Sequence, residues 1–68
     1  MDWNKDQIEY VNHMIAFHQR MLDKAWAFEK ETKEKYHNVS FMWEYIKYAK
    51  TQRKYWEAEL KYWQKQLL

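Results

Sequence analysis

Residues 41–68 read FMWEYIKYAKTQRKYWEAELKYWQKQLL, and the spacing of apolar residues in this stretch decides the fold. Met42, Ile46, Ala49, Arg53, Trp56, Leu60, Trp63 and Leu67 recur at alternating intervals of four and three. That repeat keeps one seam of an α-helix turned toward a neighbouring helix. Arg53 is the one charge in the series. Beside it Phe41, Tyr45, Tyr48, Gln52, Tyr55, Glu59 and Tyr62 form a second strip with the same alternation, mostly aromatic. Together the strips make an apolar arc wider than one antiparallel neighbour covers.

The partner for the seam lies upstream. Ile8, Val11, Ile15, His18, Leu22, Ala25 and Glu29 repeat the alternation, with Met14, Met21 and Phe28 seven residues apart alongside and Tyr10 and Phe17 further round. Asn4 is a suitable N-cap for this helix, Gln7 the return arm of a capping box, and Trp3 with Ile8 the two positions of a hydrophobic staple. Asp2, Asp6 and Glu9 near that end suit the helix dipole. One packed neighbour would leave Met14, Phe17, Met21 and Phe28 partly wet. Residues 29–35, EKETKEK, are polar all round, with Glu29/Lys33 and Glu31/Lys35 favourably oriented one turn apart. The sequence therefore predicts that core contacts thin out after Phe28 and that the helix end projects or frays. The break falls at Tyr36-His37-Asn38-Val39-Ser40, with Asn38 expected in the left-handed conformation and Ser40 expected to cap the second helix.

The expected fold is all-α: one domain over residues 1–68, an antiparallel two-helix hairpin with helix 1 about 4–36, a turn about 37–40 and helix 2 about 41–67. Each rod would be roughly 45 Å long at ~1.5 Å per residue. A turn centred near residue 37 or 38 sets Ile8 level with Leu67, Ile15 with Leu60, His18 near Trp56 and Ala25 near Ala49. Paired alanines let the helices approach closely. The uncovered apolar arcs predict that two hairpins associate as a homodimer, a four-helix bundle packed in coiled-coil fashion.

Bulk composition narrows the function classes. A chain of 68 residues seldom gains more than ~3–5 kcal/mol from a single core and needs some further staple. It has no Cys, hence no disulfide framework and no thiolate metal site, which fits a reducing, cytoplasmic setting. Gly and Pro are also absent, which excludes glycine-rich phosphate loops. Hydrophobic residues make up 47% of the chain while the mean hydropathy is −1.07; Trp and Tyr account for the contrast, so the core is aromatic more than aliphatic. No basic and then apolar leader opens the sequence, and no run is apolar enough for a membrane span, so a soluble, non-secreted protein is expected. Residues 1–37 carry six Lys/Arg against seven Asp/Glu, and residues 38–68 six against three. The second half is the basic half.

Candidates for chemistry are few. His18 lies in the apolar stripe with Met14 and Met21 on adjoining turns, a cluster soft enough for Cu(I). The run Met14-Ile15-Ala16-Phe17-His18-Gln19 resembles a motif of His- and Met-rich, copper-associated ferritin-like domains. Phe17 stands where that family has the first of paired histidines, so no metal site is carried over. A core histidine bonded to a carbonyl or carboxylate is the favoured reading. Outside tyrosine the hydroxyls are Thr32, Ser40 and Thr51, none on an apolar face near His18, and no nucleophile constellation results. Arg53 is expected to form an interhelical ion pair with Glu29, Asp23 or a carboxylate of a second chain, fixing register and oligomeric state. Neither catalysis nor a cofactor is indicated.

What remains is surface. Trp43, Lys47, Lys50, Lys54, Lys61 and Lys65 lie along one side of helix 2. Trp43 among lysines admits a nucleobase stack, a membrane-interface anchor, a plug for a protein pocket, or a plain solvated face. Modest net charge and the acidic residues of helix 1 weigh against nucleic acid. Tyr, Trp and Met are enriched at protein interfaces. The expectation is a small non-enzymatic regulator or inhibitor that binds a protein target through Trp43, Lys47, Lys50, Lys54, Tyr48, Tyr55 and Tyr62, a type familiar among phage and mobile-element products by analogy alone. A nucleic-acid-binding dimer using the Lys/Trp43 face is the first alternative, and a His/Met metal-binding bundle the second.

Overall fold

Helix α1 (Lys5–Tyr36) begins at the cap the sequence predicts. The Asn4 side chain accepts from the Gln7 backbone N–H at 2.8 Å, and the Gln7 side chain accepts from the Asn4 N–H at 2.9 Å, so two otherwise unpaired donors of the first turn are satisfied. A computed structural model describes residues 4–67; Asp2 and Trp3, the latter the other half of the staple, lie outside the described residues.

The helix continues through EKETKEK to Tyr36, and the seam continues with it. Glu29 and Thr32 are buried, and the Tyr36 ring meets Tyr45 edge-on at 5.8 Å. The expected thinning of contacts after Phe28 is thereby corrected. Ala25, Glu29, Thr32 and Tyr36 extend the alternation by four, three and four, and a cation reaching over from the second helix makes burial of Glu29 tolerable.

The turn is also built differently from expectation. No described residue has a positive φ, so Asn38 is not left-handed. An extended Val39, φ −114° and ψ 95°, reverses the chain instead, while its N–H donates to the Tyr36 carbonyl at 3.0 Å. Ser40 does not cap with its hydroxyl because it lies inside a 3-10 turn (Ser40–Met42), where its carbonyl accepts from the Trp43 N–H. Helix α2 (Trp43–Lys65) follows directly.

The two helices pack antiparallel into a rod of 52 × 15 × 12 Å. The seam places His18 against Trp56, with ring centroids 5.7 Å apart, as the expected register has it. Tyr10 meets Trp63 at 5.9 Å and Phe28 meets Tyr45 at 5.6 Å, toward opposite ends of the rod. Among the described residues the buried apolar side chains are Val11, Leu22, Ala25, Ala49 and Leu60. Two of these are alanines, so the seam brings the helix backbones close, and larger seam residues such as Ile15, Ile46, Trp56 and Trp63 are covered in part.

Candidate functional site

Arg53 shows how the seam handles a charge. Its Nε donates to Glu29 Oε2 at 2.8 Å and its Nη2 to Glu29 Oε1 at 3.5 Å, across the helix pair. Its Nη1 donates to Glu57 Oε2 at 3.2 Å, one turn on. The guanidinium carbon sits 4.2 Å from the centre of the Trp26 ring, close enough for a cation–π contact. Lys33 Nζ reaches Glu29 Oε1 at 3.0 Å and Lys61 Nζ reaches Glu57 Oε1 at 3.6 Å. Of the carboxylates the sequence offered to Arg53, Glu29 is the one engaged; Asp23 instead accepts from Gln19 Nε2 at 3.0 Å.

The electrostatics follow from that geometry. Hydrogen bonding from Arg53, opposed by burial and reinforced by Lys33, holds the Glu29 carboxyl at about 2, well below its ordinary 4.5. Hydrogen bonding to Glu29 raises Arg53 in turn, against the desolvation it suffers there. Glu29 and Arg53 are thereby held as an ion pair. No buried side-chain nitrogen or oxygen among the described residues lacks a partner. Paired in this way, Arg53 and Glu29 clasp the two helices together.

His18 is buried, its Nδ1 2.7 Å from the Met14 carbonyl oxygen. A carbonyl can only accept, so Nδ1 carries the proton. The ring lies between Trp56 and Trp63 at 5.7 and 6.0 Å, with Phe17 edge-on at 5.2 Å. Among the described residues no group of three or more His, Cys, Asp or Glu side chains is placed to hold a metal ion.

Most of the remaining predicted residues divide between two faces of the rod. Of the residues assigned to the core and dimer interface, Val11, His18, Leu22, Ala49 and Leu60 are buried, and Met14, Ile15, Met21, Phe28, Met42, Ile46, Arg53, Trp56 and Trp63 are half-buried. Ile8 and Leu67 are exposed near the open end of the hairpin. The residues assigned to partner binding are not brought together. Trp43, Lys47, Lys50 and Lys54 border an open groove of about 740 Å³ with Ile46 and, from α1, Lys33. Tyr48 borders a separate, smaller groove of about 290 Å³ with Met21, Lys24, Phe28 and Gln52, and Tyr62 lies further along that side with Tyr10 and Trp63.

One side of the rod is accordingly a Tyr/Met face, built from Tyr10, Met14, Phe17, Met21, Lys24 and Phe28 of α1 and Tyr45, Tyr48, Gln52, Tyr55, Glu59 and Tyr62 of α2. Edge-to-face contacts tie its rings to the seam: Phe17 and Tyr55 to Trp56 at 6.2 and 5.1 Å, and Tyr62 to Trp63 at 5.4 Å. The other side carries the clasp and the lysine groove. Trp26, Lys30 and Lys33 of α1 were not foreseen as part of it. The available signal was that Trp26 and Lys33 stand three before and four after Glu29, on neighbouring turns of one helix side.

The chain matches no family model, no curated protein and no solved structure. No helix among the described residues is long and apolar enough to cross a membrane.

Proposed function

We propose that this hairpin is a small non-enzymatic regulator or inhibitor that acts by binding protein, and that hairpins pair into a four-helix bundle. The observation that carries this reading is the Tyr/Met face. Tyr10, Phe17, Tyr45, Tyr48, Tyr55 and Tyr62 are all exposed there along a rod whose own core is small, and rings of this kind are enriched where proteins meet. The clasp supports the same reading, since the one charged cluster in the seam is spent on holding the helices in register.

The test is affinity capture from native lysate with wild type, Trp43→Ala and Tyr55→Ala as baits, followed by reconstitution with the purified partner. A stoichiometric partner retained by wild type and lost with one of the two substitutions is the expected result. An empty capture under all conditions counts against the proposal.

A second reading has its own support. Trp43 with Lys33, Lys47, Lys50 and Lys54 around one groove is an arrangement in which an aromatic stacks on a base while lysines follow phosphates. Binding to single-stranded nucleic acid that weakens steeply with salt would favour it; no retention at low salt removes it.

A further inference from the structure

We infer that the Tyr/Met face is closed by a second copy of this chain, and that the Trp43/lysine groove is the surface left facing outward. The inference rests on the protein-binding reading and deepens it by assigning one occupant to one face.

Area is the first argument. Tyr10, Phe17, Tyr45, Tyr48, Tyr55 and Tyr62 are between 37% and 57% exposed. Aromatic side chains present roughly 200 Å² each, so about half of six rings leaves on the order of 600 Å² per chain open to water before the half-buried Met14, Met21 and Phe28 are counted. A standard interface buries about 800 Å² on each partner. The face is therefore about the size of one complete interface and too large to be scattered surface hydrophobicity.

Charge is the second argument, and it chooses between the faces. A two-fold interface sets a surface against itself. The Tyr/Met strips contain one cation, Lys24, and one anion, Glu59, and Asp6 lines the groove beside Tyr10 and Tyr62, so charges there are few, scattered and of both signs. On the opposite side Lys30, Lys33, Lys47, Lys50 and Lys54 gather around the two grooves. Glu29, the acid lining one of them, is already bonded to Arg53 and Lys33, and Glu44 is the acid lining the other. That face pressed against its own copy would oppose lysine to lysine. Self-pairing fits the first face and repels at the second.

The third argument is need. Among the described residues Val11, Leu22, Ala25, Ala49 and Leu60 are the fully buried apolar side chains, with Trp56 and Trp63 covered in part, a modest core for a chain with no disulfide. Covering the Tyr/Met face roughly completes the apolar surface a four-helix bundle encloses.

The experiment is mass by light scattering across a micromolar dilution series, with Tyr55→Glu and Lys50→Glu beside wild type. Wild type is expected at twice 8.8 kDa; Tyr55→Glu, adding an anion to the face, should raise the dimer dissociation constant about 100-fold, and Lys50→Glu should leave it within about threefold. Since a dissociated hairpin can also unfold, thiol accessibility gives a second readout. The chain has no cysteine of its own, so Tyr55→Cys and Trp43→Cys each carry one reporter, and alkylation should be at least about tenfold slower at Tyr55→Cys than at Trp43→Cys. A helical monomer of 8.8 kDa with a cooperative melt, equal alkylation rates at the two thiols, or a dimer broken by Lys50→Glu and spared by Tyr55→Glu would each overturn the inference. A monomer that still captures a protein target sinks this inference and keeps the regulator reading; a dimer protected at Tyr55→Cys that captures nothing does the reverse.

Discussion

Replacing Arg53 by Met keeps a long side chain in the seam and removes its charge. The Glu29 carboxylate, whose side chain is 2% exposed, is left with Lys33 as its one cation, and Lys33 is itself more than half exposed. Stranding a fully buried carboxylate costs about 3–5 kcal/mol; with Lys33 still donating, about 2–3 kcal/mol is the expected penalty at Glu29. For a domain of this size that lowers the melting temperature by roughly 10–20 °C. Glu29→Gln should be milder, because Arg53 keeps Glu57 and Trp26. Combining Arg53→Met with Glu29→Leu replaces the pair by apolar groups, and such replacements are often neutral. The double variant should therefore melt well above Arg53→Met alone. Thermal and urea melts followed by circular dichroism, at one fixed protein concentration because the self-association proposed above would shift the midpoint, read all three. The same pair predicts acid behaviour. Glu29 titrates at about 2 when folded and at 4.5 ordinarily, so its contribution is complete above pH 4.5 and is lost as pH falls toward 2. Arg53→Met should flatten the stability profile in that window. If the single effects simply add in the double variant, or the acid profile is unchanged by Arg53→Met, the clasp does not act as a unit and the reasoning fails.

Further outcomes follow from other parts of the rod. Asn4→Ala removes the capping box and should cost about 1 kcal/mol, visible as fraying of the first turn by amide exchange. Ala49, 1% exposed in the seam, should reject a larger residue: Ala49→Leu is expected to cost about 1–3 kcal/mol by overpacking, measured by urea melt. Leu60→Ala, at the other buried position of α2, should cost about 2–5 kcal/mol by leaving a cavity, in the same assay. Titration with Cu(I) should leave the His18 ring resonances in place, since the bond to the Met14 carbonyl leaves Nε2 as the one nitrogen able to ligate, the ring packs against Trp56 and Trp63, and no group of three His, Cys, Asp or Glu among the described residues is placed around an ion; a shift confined to His18 and the Met14 and Met21 methyls would restore a metal site.

The parts of this fold that could be read from the sequence are those set by short range or by strict period. The Asn4/Gln7 cap involves residues three apart, and the seam from Val11 to Leu22 and from Ala49 to Leu60 is an unbroken alternation. Reading failed where a polar residue took a seam position. Glu29 through Tyr36 keep the spacing but look solvated, because composition does not reveal that Arg53 arrives from the other helix to neutralise Glu29. The same blindness hid Trp26, whose role depends on a guanidinium placed above it by packing. The turn was misjudged because Asn38 and Ser40 each have local preferences that an extended Val39 and a 3-10 turn override. Of the candidate binding residues, Tyr48 and Lys47 are neighbours in sequence, so helix periodicity alone sets them on different strips, and the expected single binding surface joins two faces that the rod keeps apart.

A rod of this composition divides its labour between seam and face. The seam uses small residues, a hydrogen-bonded histidine and an ion-pair clasp, all of which are sensitive to register and supply modest burial. The Tyr/Met face holds a large reserve of exposed aromatic area. On the pairing proposed above, folding and association then become one equilibrium, since the face gains its stabilisation only when a second copy removes it from water. Helicity should accordingly fall on dilution, together with mass, and a substitution in the seam such as Ala49→Leu should weaken the dimer although Ala49 lies off the face. Were helicity to stay constant across a dilution that halves the mass, the hairpin would be standing on its seam alone, and the division of labour argued here would be wrong.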